Sequence, residues 1–243
     1  MTAALPTRHD EAWRYADLGA LAPLWPVTPE TIVLGAGETA AHTLILNGAG
    51  AEVRDITITL GEGAHLAFHA LNAARGYGRM ALRVTLARGA RFEFGAAQLA
   101  AGDQTVEIVT EVVHAEPDAT SHQIVRQVLA GRATGNYLGR VVVARGAVGT
   151  DGNQSIRAML LDRGATANAR PELEIHADDV KCAHGCAIGE LDKDALFYLA
   201  SRGLPPAAAK ALMLQAFLAE AFVGAHDEDR LTTAALAALE TVL

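Results

Sequence analysis

From about Thr31 to Asp179 the chain alternates short runs, in which every second residue is apolar, with compact turns rich in glycine and alanine. The runs Val53-Arg54-Asp55-Ile56-Thr57-Ile58-Thr59-Leu60 and Ala81-Leu82-Arg83-Val84-Thr85-Leu86 carry this period of two. So do Val106-Glu107-Ile108-Val109-Thr110-Glu111-Val112-Val113 and Gly139-Arg140-Val141-Val142-Val143-Ala144. Successive side chains of a strand point to opposite faces, so these runs predict strands with one buried face. No sustained 3.6-residue stripe lies between Gly37 and Asp179, which argues against helical crossovers and a doubly wound α/β sheet.

The turns are Gly35-Ala36-Gly37-Glu38, Gly61-Glu62-Gly63-Ala64, Arg88-Gly89-Ala90-Arg91, Arg145-Gly146-Ala147-Val148 and Arg163-Gly164-Ala165-Thr166. Glu116-Pro117-Asp118-Ala119 is a weaker member of the set. Gly37, Gly63 and Gly89 are 26 residues apart, and the later intervals drift to 57 and then 18. A repeated strand-and-turn unit cannot bury its own apolar face, so it stacks on its neighbours. The predicted fold is therefore mainly β: a β-solenoid, as a parallel β-helix, with a β-sandwich as the alternative. Weaker turns at Gly48-Ala49-Gly50 and Gly76-Tyr77-Gly78 keep that alternative open.

The ends read differently. Residues 1–30 are expected to form a short helical arm in which Asp10–Leu18 anchors the aromatics Trp13 and Tyr15. The β-helix core is expected over 31–188 and a helical region over 189–243. There Asp192 and Asp194 suit the positive end of a helix that stops at Ser201-Arg202-Gly203. Pro205-Pro206 opens a second helix, whose stripe Leu214, Phe217, Leu218, Ala221, Phe222 has helical spacing. The charged break His226–Arg230 precedes a third helix carrying Leu231, Ala235, Ala238 and Val242. The Phe217/Phe222 stripe is read as a helix docked on the end of the solenoid. Leu214, Phe217, Leu218 and Phe222 are also candidates for a partner-binding face.

Composition narrows the function. Just over half of the 243 residues are apolar but only 5% are aromatic, which suits thin repeated layers. A formal charge of −8 argues against nucleic acid and against an anionic membrane surface. No stretch approaches ~18 uninterrupted apolar residues, so no membrane-spanning helix is predicted. Met1 to Asp10 lacks a basic start followed by an apolar run, so no secretory signal is expected and a cytoplasmic location is. Gly35-Ala36-Gly37 is followed by a strand instead of a helix, and no phosphate-binding loop is present.

Chemistry concentrates in Asp179-Val180-Lys181-Cys182-Ala183-His184-Gly185-Cys186, which holds both cysteines. On a strand Cys182, His184 and Cys186 would share one face. Thiolate and imidazole suit iron–sulfur chemistry, zinc or copper, but structural zinc wants four ligands and no second cysteine pair exists. The set is a candidate for a site that borrows ligands from another subunit. Alternatively the cysteines are small buried hydrophobes and His184 is incidental. Lys181 and the helix beginning near Asp192 are expected to favour thiolate at Cys182. His65 and His69 are read as solenoid-surface residues, and Glu172, Glu174, Asp178 and Asp179 as a solvated edge.

The run Asp178-Asp179-Val180-Lys181-Cys182-Ala183-His184-Gly185, with Ile188-Gly189-Glu190-Leu191-Asp192 and Ala195–Gly203, resembles the C-terminal signature of the SufB/SufD family of iron–sulfur cluster assembly proteins. The Lys-Cys-x-His-Gly form is similar to that of its SufD branch. Ala211–Glu220 and Glu11-Ala12-Trp13-Arg14-Tyr15 also resemble family segments. The resemblance implies a right-handed parallel β-helix with C-terminal helices, a SufB-like paralogue as heterodimer partner, and a SufC-like ABC ATPase bound through the helical end. It implies a transient iron–sulfur cluster at the paralogue interface, with His184 as ligand or proton-handling residue and Cys182 as a transient thiolate beside it. Cys186 falls where relatives often carry a small residue, and is read as a third ligand, a resolving thiol or neutral. The chain is short for the family, the long N-terminal helical region being expected to shrink to a few turns.

The expected function is thus a scaffold subunit without catalytic residues, intrinsic cofactor or ATPase activity, acting in a SufBCD-type complex. The alternative is a free-standing metal-dependent β-solenoid enzyme that uses Cys182 and His184 with an acidic neighbour such as Asp178. The sequence leaves open whether the isolated chain forms a homodimer.

Overall fold

The alternating runs form strands that wind into a parallel β-helix, seen in a computed structural model that describes residues 4–243. Residues 1–3, where the arm and the stretch read for a secretory signal begin, lie outside the described residues. One sheet holds the odd strands: β1 (Glu30–Leu34), β3 (Glu52–Leu60), β5 (Tyr77–Leu86), β7 (Thr105–His114), β9 (Thr134–Val143) and β11 (Thr166–Ile175). The facing sheet holds the even strands: β2 (Thr39–Leu46), β4 (His65–Asn72), β6 (Arg91–Ala100), β8 (Thr120–Leu129), β10 (Asp151–Leu160) and β12 (Lys181–Gly189). Each coil contributes one strand to each sheet.

The drift of the turn spacing has a geometric cause. Thr39, His65, Arg91, Thr120, Asp151 and Lys181 stand in register, so successive coils advance by 26, 26, 29, 31 and 30 residues. The 57-residue interval is two coils. The 18-residue interval joins opposite corners, because Gly146 precedes β10 and Gly164 follows it. Gly37, Gly63, Gly89 and Gly146 occupy the odd-to-even corner with φ between 63° and 83°, where a side chain is strained. Asp118 takes that corner with φ 63°, filling the place of the missing glycine. The weak turns near Gly48 and Gly76 are the opposite corners of the same coils.

The interior changes character along the axis. Its early coils pack Ile58, Leu60, Phe68, Leu82, Phe92 and Phe94, all at most 2% exposed. Later coils turn polar: Thr110 donates to Gln123 Oε1 at 2.8 Å, and Gln154 Nε2 donates to Tyr137 Oη at 3.3 Å. His114, at 0% exposure, shares a 2.8 Å hydrogen bond with Ser121, and burial pushes its pKa from 6.5 down to about 4.

An imidazole that binds its proton more weakly in the folded state makes folding weaken as pH falls. Its contribution is complete above pH 6.5 and is lost toward pH 4. At about 1.4 kcal/mol per tenfold change in proton affinity the full loss is about 3 kcal/mol. Between pH 7 and pH 4.5 the wild type is expected to lose roughly 2 kcal/mol more unfolding free energy than His114→Gln. Parallel denaturant curves for the two proteins at both pH values would refute the assignment.

Two additions cover the outer faces. After α2 (Lys193–Ser201), α3 (Pro206–Ala219) and α4 (Glu228–Val242) lie on the even sheet. Leu214, Phe217, Leu218 and Phe222 are 0–8% exposed there, against Leu71, Ala97, Leu99 and Val128. This corrects both expectations for the stripe. It covers the flank of the solenoid instead of its end, and it is consumed within the chain instead of facing a partner. Gly95 makes the approach possible, since a Cβ there would stand 2.1 Å from the Ala221 carbonyl oxygen. Arg126, 4% exposed, locks the end of α3 by donating to Glu220 at 2.8 Å. His69, expected on the surface, is 5% exposed and bonded to the Val223 backbone.

On the odd sheet the N-terminal arm is pinned by a buried ion pair. Before α1 (Leu18–Leu21), a short 3-10 turn at Glu11–Trp13 lays the Trp13 ring 3.8 Å from the Arg79 guanidinium carbon. Arg79 donates to the Ala12 carbonyl at 2.8 Å and to Glu107 Oε2 at 3.0 Å. Glu107 also accepts from the Tyr77 hydroxyl and, at 3.1 Å, from Asn136 Nδ2. Both expected aromatics belong to this arm, but only Trp13 is fixed through its ring. Tyr15 is held by its backbone carbonyl, which accepts from Asn136 at 3.2 Å.

Candidate functional site

Among the described residues, strand β12 of the last coil has β10 on one side and no strand on the other, and eight of its nine residues are exposed. A bare strand edge of this length is a template for pairing with another chain. Lys181, Cys182, His184 and Cys186 of β12 stand in register with Asp151, Gly152, Gln154 and Ile156 of β10. The last three of these point into the core, so Cys182, His184 and Cys186 share the inward face of the open coil, as their spacing predicts.

The three do not close on one ion. At ~3.3 Å per residue, Cys182 and Cys186 lie about 13 Å apart along the strand, whereas Cys182 and His184 are half that. Among the described residues no group of three or more His, Cys, Asp or Glu is placed to hold a metal. The set with Asp178 proposed for a free-standing enzyme is therefore not assembled within the chain. A Cys182–His184 pair fits the chemistry of a metal-binding half-site, with coordination positions left for ligands from elsewhere.

Cys182 is half-buried and packs against the core, and Cys186 is exposed. Burial raises the Cys182 pKa, the Asp151 carboxylate adds to the rise, and the Gly152 backbone partly offsets it. That corrects the expectation of a thiolate favoured by Lys181 and α2. Burial also raises the Cys186 pKa. A Cβ on Gly152 would stand 3.4 Å from Cys182 Sγ and 3.7 Å from His114 Nε2. The missing side chain thus leaves a hollow between the thiol and the buried imidazole. Sequence spacing found Cys182 and His184 but missed the floor beneath them, Gly152, Gln154, His114 and Tyr137. These residues come from three strands, and no local motif joins them.

Elsewhere, Glu172 and Glu174 are engaged by Arg170 at 2.6 Å and by Arg140 at 3.6 Å on the odd sheet. Among the described residues they join no group of three or more His, Cys, Asp or Glu placed to hold a metal. Among the described residues no helix is long and apolar enough to cross a membrane.

Comparison with known proteins identifies a family. The family model described as "SUF system FeS cluster assembly, SufBD core domain" matches residues 32–217. The iron–sulfur cluster assembly protein SufD of Escherichia coli (strain K12) is 34% identical over 119 residues, 49% of this chain and 28% of that protein. SufD of Bacillus subtilis (strain 168) is 30% identical over 118 residues, 49% of this chain and 27% of its own length. The chloroplastic protein ABCI7 of Arabidopsis thaliana is 35% identical over 125 residues, 50% and 26% of the two chains. Each match thus covers about half of this chain and little more than a quarter of the relative.

Proposed function

The chain belongs to the SufBD core family of the SUF system for iron–sulfur cluster assembly, and from that premise we propose that it is a non-enzymatic, SufD-like scaffold subunit of a SufBCD-type complex. In this reading its open coil pairs with a SufB-like paralogue, and the nascent cluster is the cargo built across the joint. The observation that carries the proposal is the exposed β12 edge, with Cys182 and His184 on its inward face. An arriving iron ion stabilises the deprotonated form of a thiol that burial otherwise keeps protonated. His184, exposed on the same face, offers an imidazole nitrogen beside it. Cys186, too distant to share their ion, is neutral for assembly.

A SufC-like ABC ATPase is proposed to dock on the helical region. The stripe Leu214, Phe217, Leu218, Phe222 is covered, so other residues must form the surface. Phe197, Tyr198 and Leu212 on α2 and α3 are 76%, 56% and 48% exposed. Leu212 also lines a hollow of about 290 Å³ between α3 and α4, together with Ala216 and Leu236. Exposed apolar groups of this size commonly mark contact surfaces.

Anaerobic affinity purification of the tagged chain from its own cells, with partners identified by mass spectrometry, tests the proposal. Stoichiometric recovery of a SufB-like protein and an ABC ATPase is expected. Recovery of the chain alone, carrying a tightly bound metal, would overturn it in favour of the solenoid enzyme.

A further inference from the structure

One inward file of the even sheet runs Phe68, Phe94, Gln123, Gln154, His184, each residue in register with the next. Paired side chains of neighbouring parallel strands stack one rung, about 4.8 Å, apart. Phe68 and Phe94 show that the coil interior accepts a large apolar side chain in this file. From Phe68 the file turns polar as it nears His184; at its other end Phe68 is in register with His42.

Gln154 is 1% exposed, and its two amide ends are in different states. Nε2 donates to the Tyr137 hydroxyl, while Oε1 is buried with no hydrogen-bond partner. An unpartnered buried acceptor is destabilising, and an apolar residue of similar shape would avoid that cost. The rung above Oε1 is His184, whose imidazole is exposed. A metal-bound imidazole almost always gives its second N–H to an acceptor, which sets the tautomer and the ring orientation.

We infer that Gln154 is the positioning residue of His184. Its Oε1 accepts one imidazole N–H, so that the other ring nitrogen turns out of the coil toward the metal. This rests on the reading of His184 as a ligand given above. Tyr137 completes the support by holding the amide from its other end.

The test is Co(II) binding to the anaerobically purified assembly, read by thiolate-to-cobalt absorption that is absent when Cys182 is serine. The assembly carries the wild-type chain, Gln154→Leu, Gln154→Glu or His184→Ala. Gln154→Leu is expected to weaken Co(II) binding about tenfold or more, the range found when an acceptor behind a ligating histidine is removed. Gln154→Glu, which keeps an acceptor, should remain within about threefold of wild type, and all variants should retain partner composition. Unchanged affinity in Gln154→Leu, with affinity lost in His184→Ala, would reduce Gln154 to a packing residue and overturn the inference. Unchanged affinity in His184→Ala would instead remove the ligand role itself, and the inference with it.

Discussion

His184→Ala is expected to abolish most cluster formation while leaving the fold and the complex intact. The side chain is exposed on the last coil, so its truncation should change stability by no more than about 0.5 kcal/mol. Its proposed partner two residues along the same strand, Cys182, cannot hold iron alone at a half-site with open positions. The yield of iron and acid-labile sulfide per assembly should fall at least about tenfold, in keeping with the loss of a metal ligand or its support. Cys186→Ser should give wild-type yield, because that thiol is about 13 Å down the strand from Cys182. Anaerobic reconstitution with absorption spectra and thermal melting reads all three proteins. Wild-type cluster yield in His184→Ala would remove this residue from the site. A melting point well below wild type would show that its role is structural.

The second large effect concerns the fold. Glu107→Ala is expected to cost about 3–5 kcal/mol, because it leaves the Arg79 guanidinium unpaired at 1% exposure. For a chain of this size that is a fall of about 10 °C in melting temperature. The Tyr77 hydroxyl loses its acceptor in the same substitution, and the Asn136 amide keeps only the Tyr15 carbonyl. Arg79 also holds the Ala12 carbonyl and the Trp13 ring, so the arm should become the first site of proteolysis. The double variant Arg79→Met/Glu107→Leu removes both charges and should recover much of the loss in the core. It should not restore protection of the arm. A single variant that melts within 2 °C of wild type would show that the pair contributes little.

Much of the architecture was legible because it rests on local rules. A period of two predicts a one-sided strand wherever it occurs, and Val53–Leu60 and Val106–Val113 fall in β3 and β7. The helix signals were equally local. Asp192 caps α2 by accepting from the Asp194 and Ala195 amides, Gly203 closes it with φ 90°, and Pro206 starts α3. The common face of Cys182 and His184 follows from strand geometry alone.

What the sequence by itself determined is therefore the coil: strands, corners, the helical end and a cysteine–histidine pair on one face. Its 26-residue spacing was readable only while the corners kept one length. Once Asp118 replaced a glycine and the corners lengthened, registration depended on hydrogen bonds to the preceding coil, which no local pattern encodes. Only the tertiary structure decided which apolar stripe is spent inside the chain. The stripe on α3 has the same helical spacing whether it meets a sheet or a partner, and Gly95, more than a hundred residues away, lets it reach the sheet. Tertiary structure also decided what lies beneath the pair. Burial raises the Cys182 pKa, and Gln154 and His114 form the floor beneath it. These contacts bring together residues 30 to 70 positions apart, through stacking of coils whose register is a property of the whole solenoid.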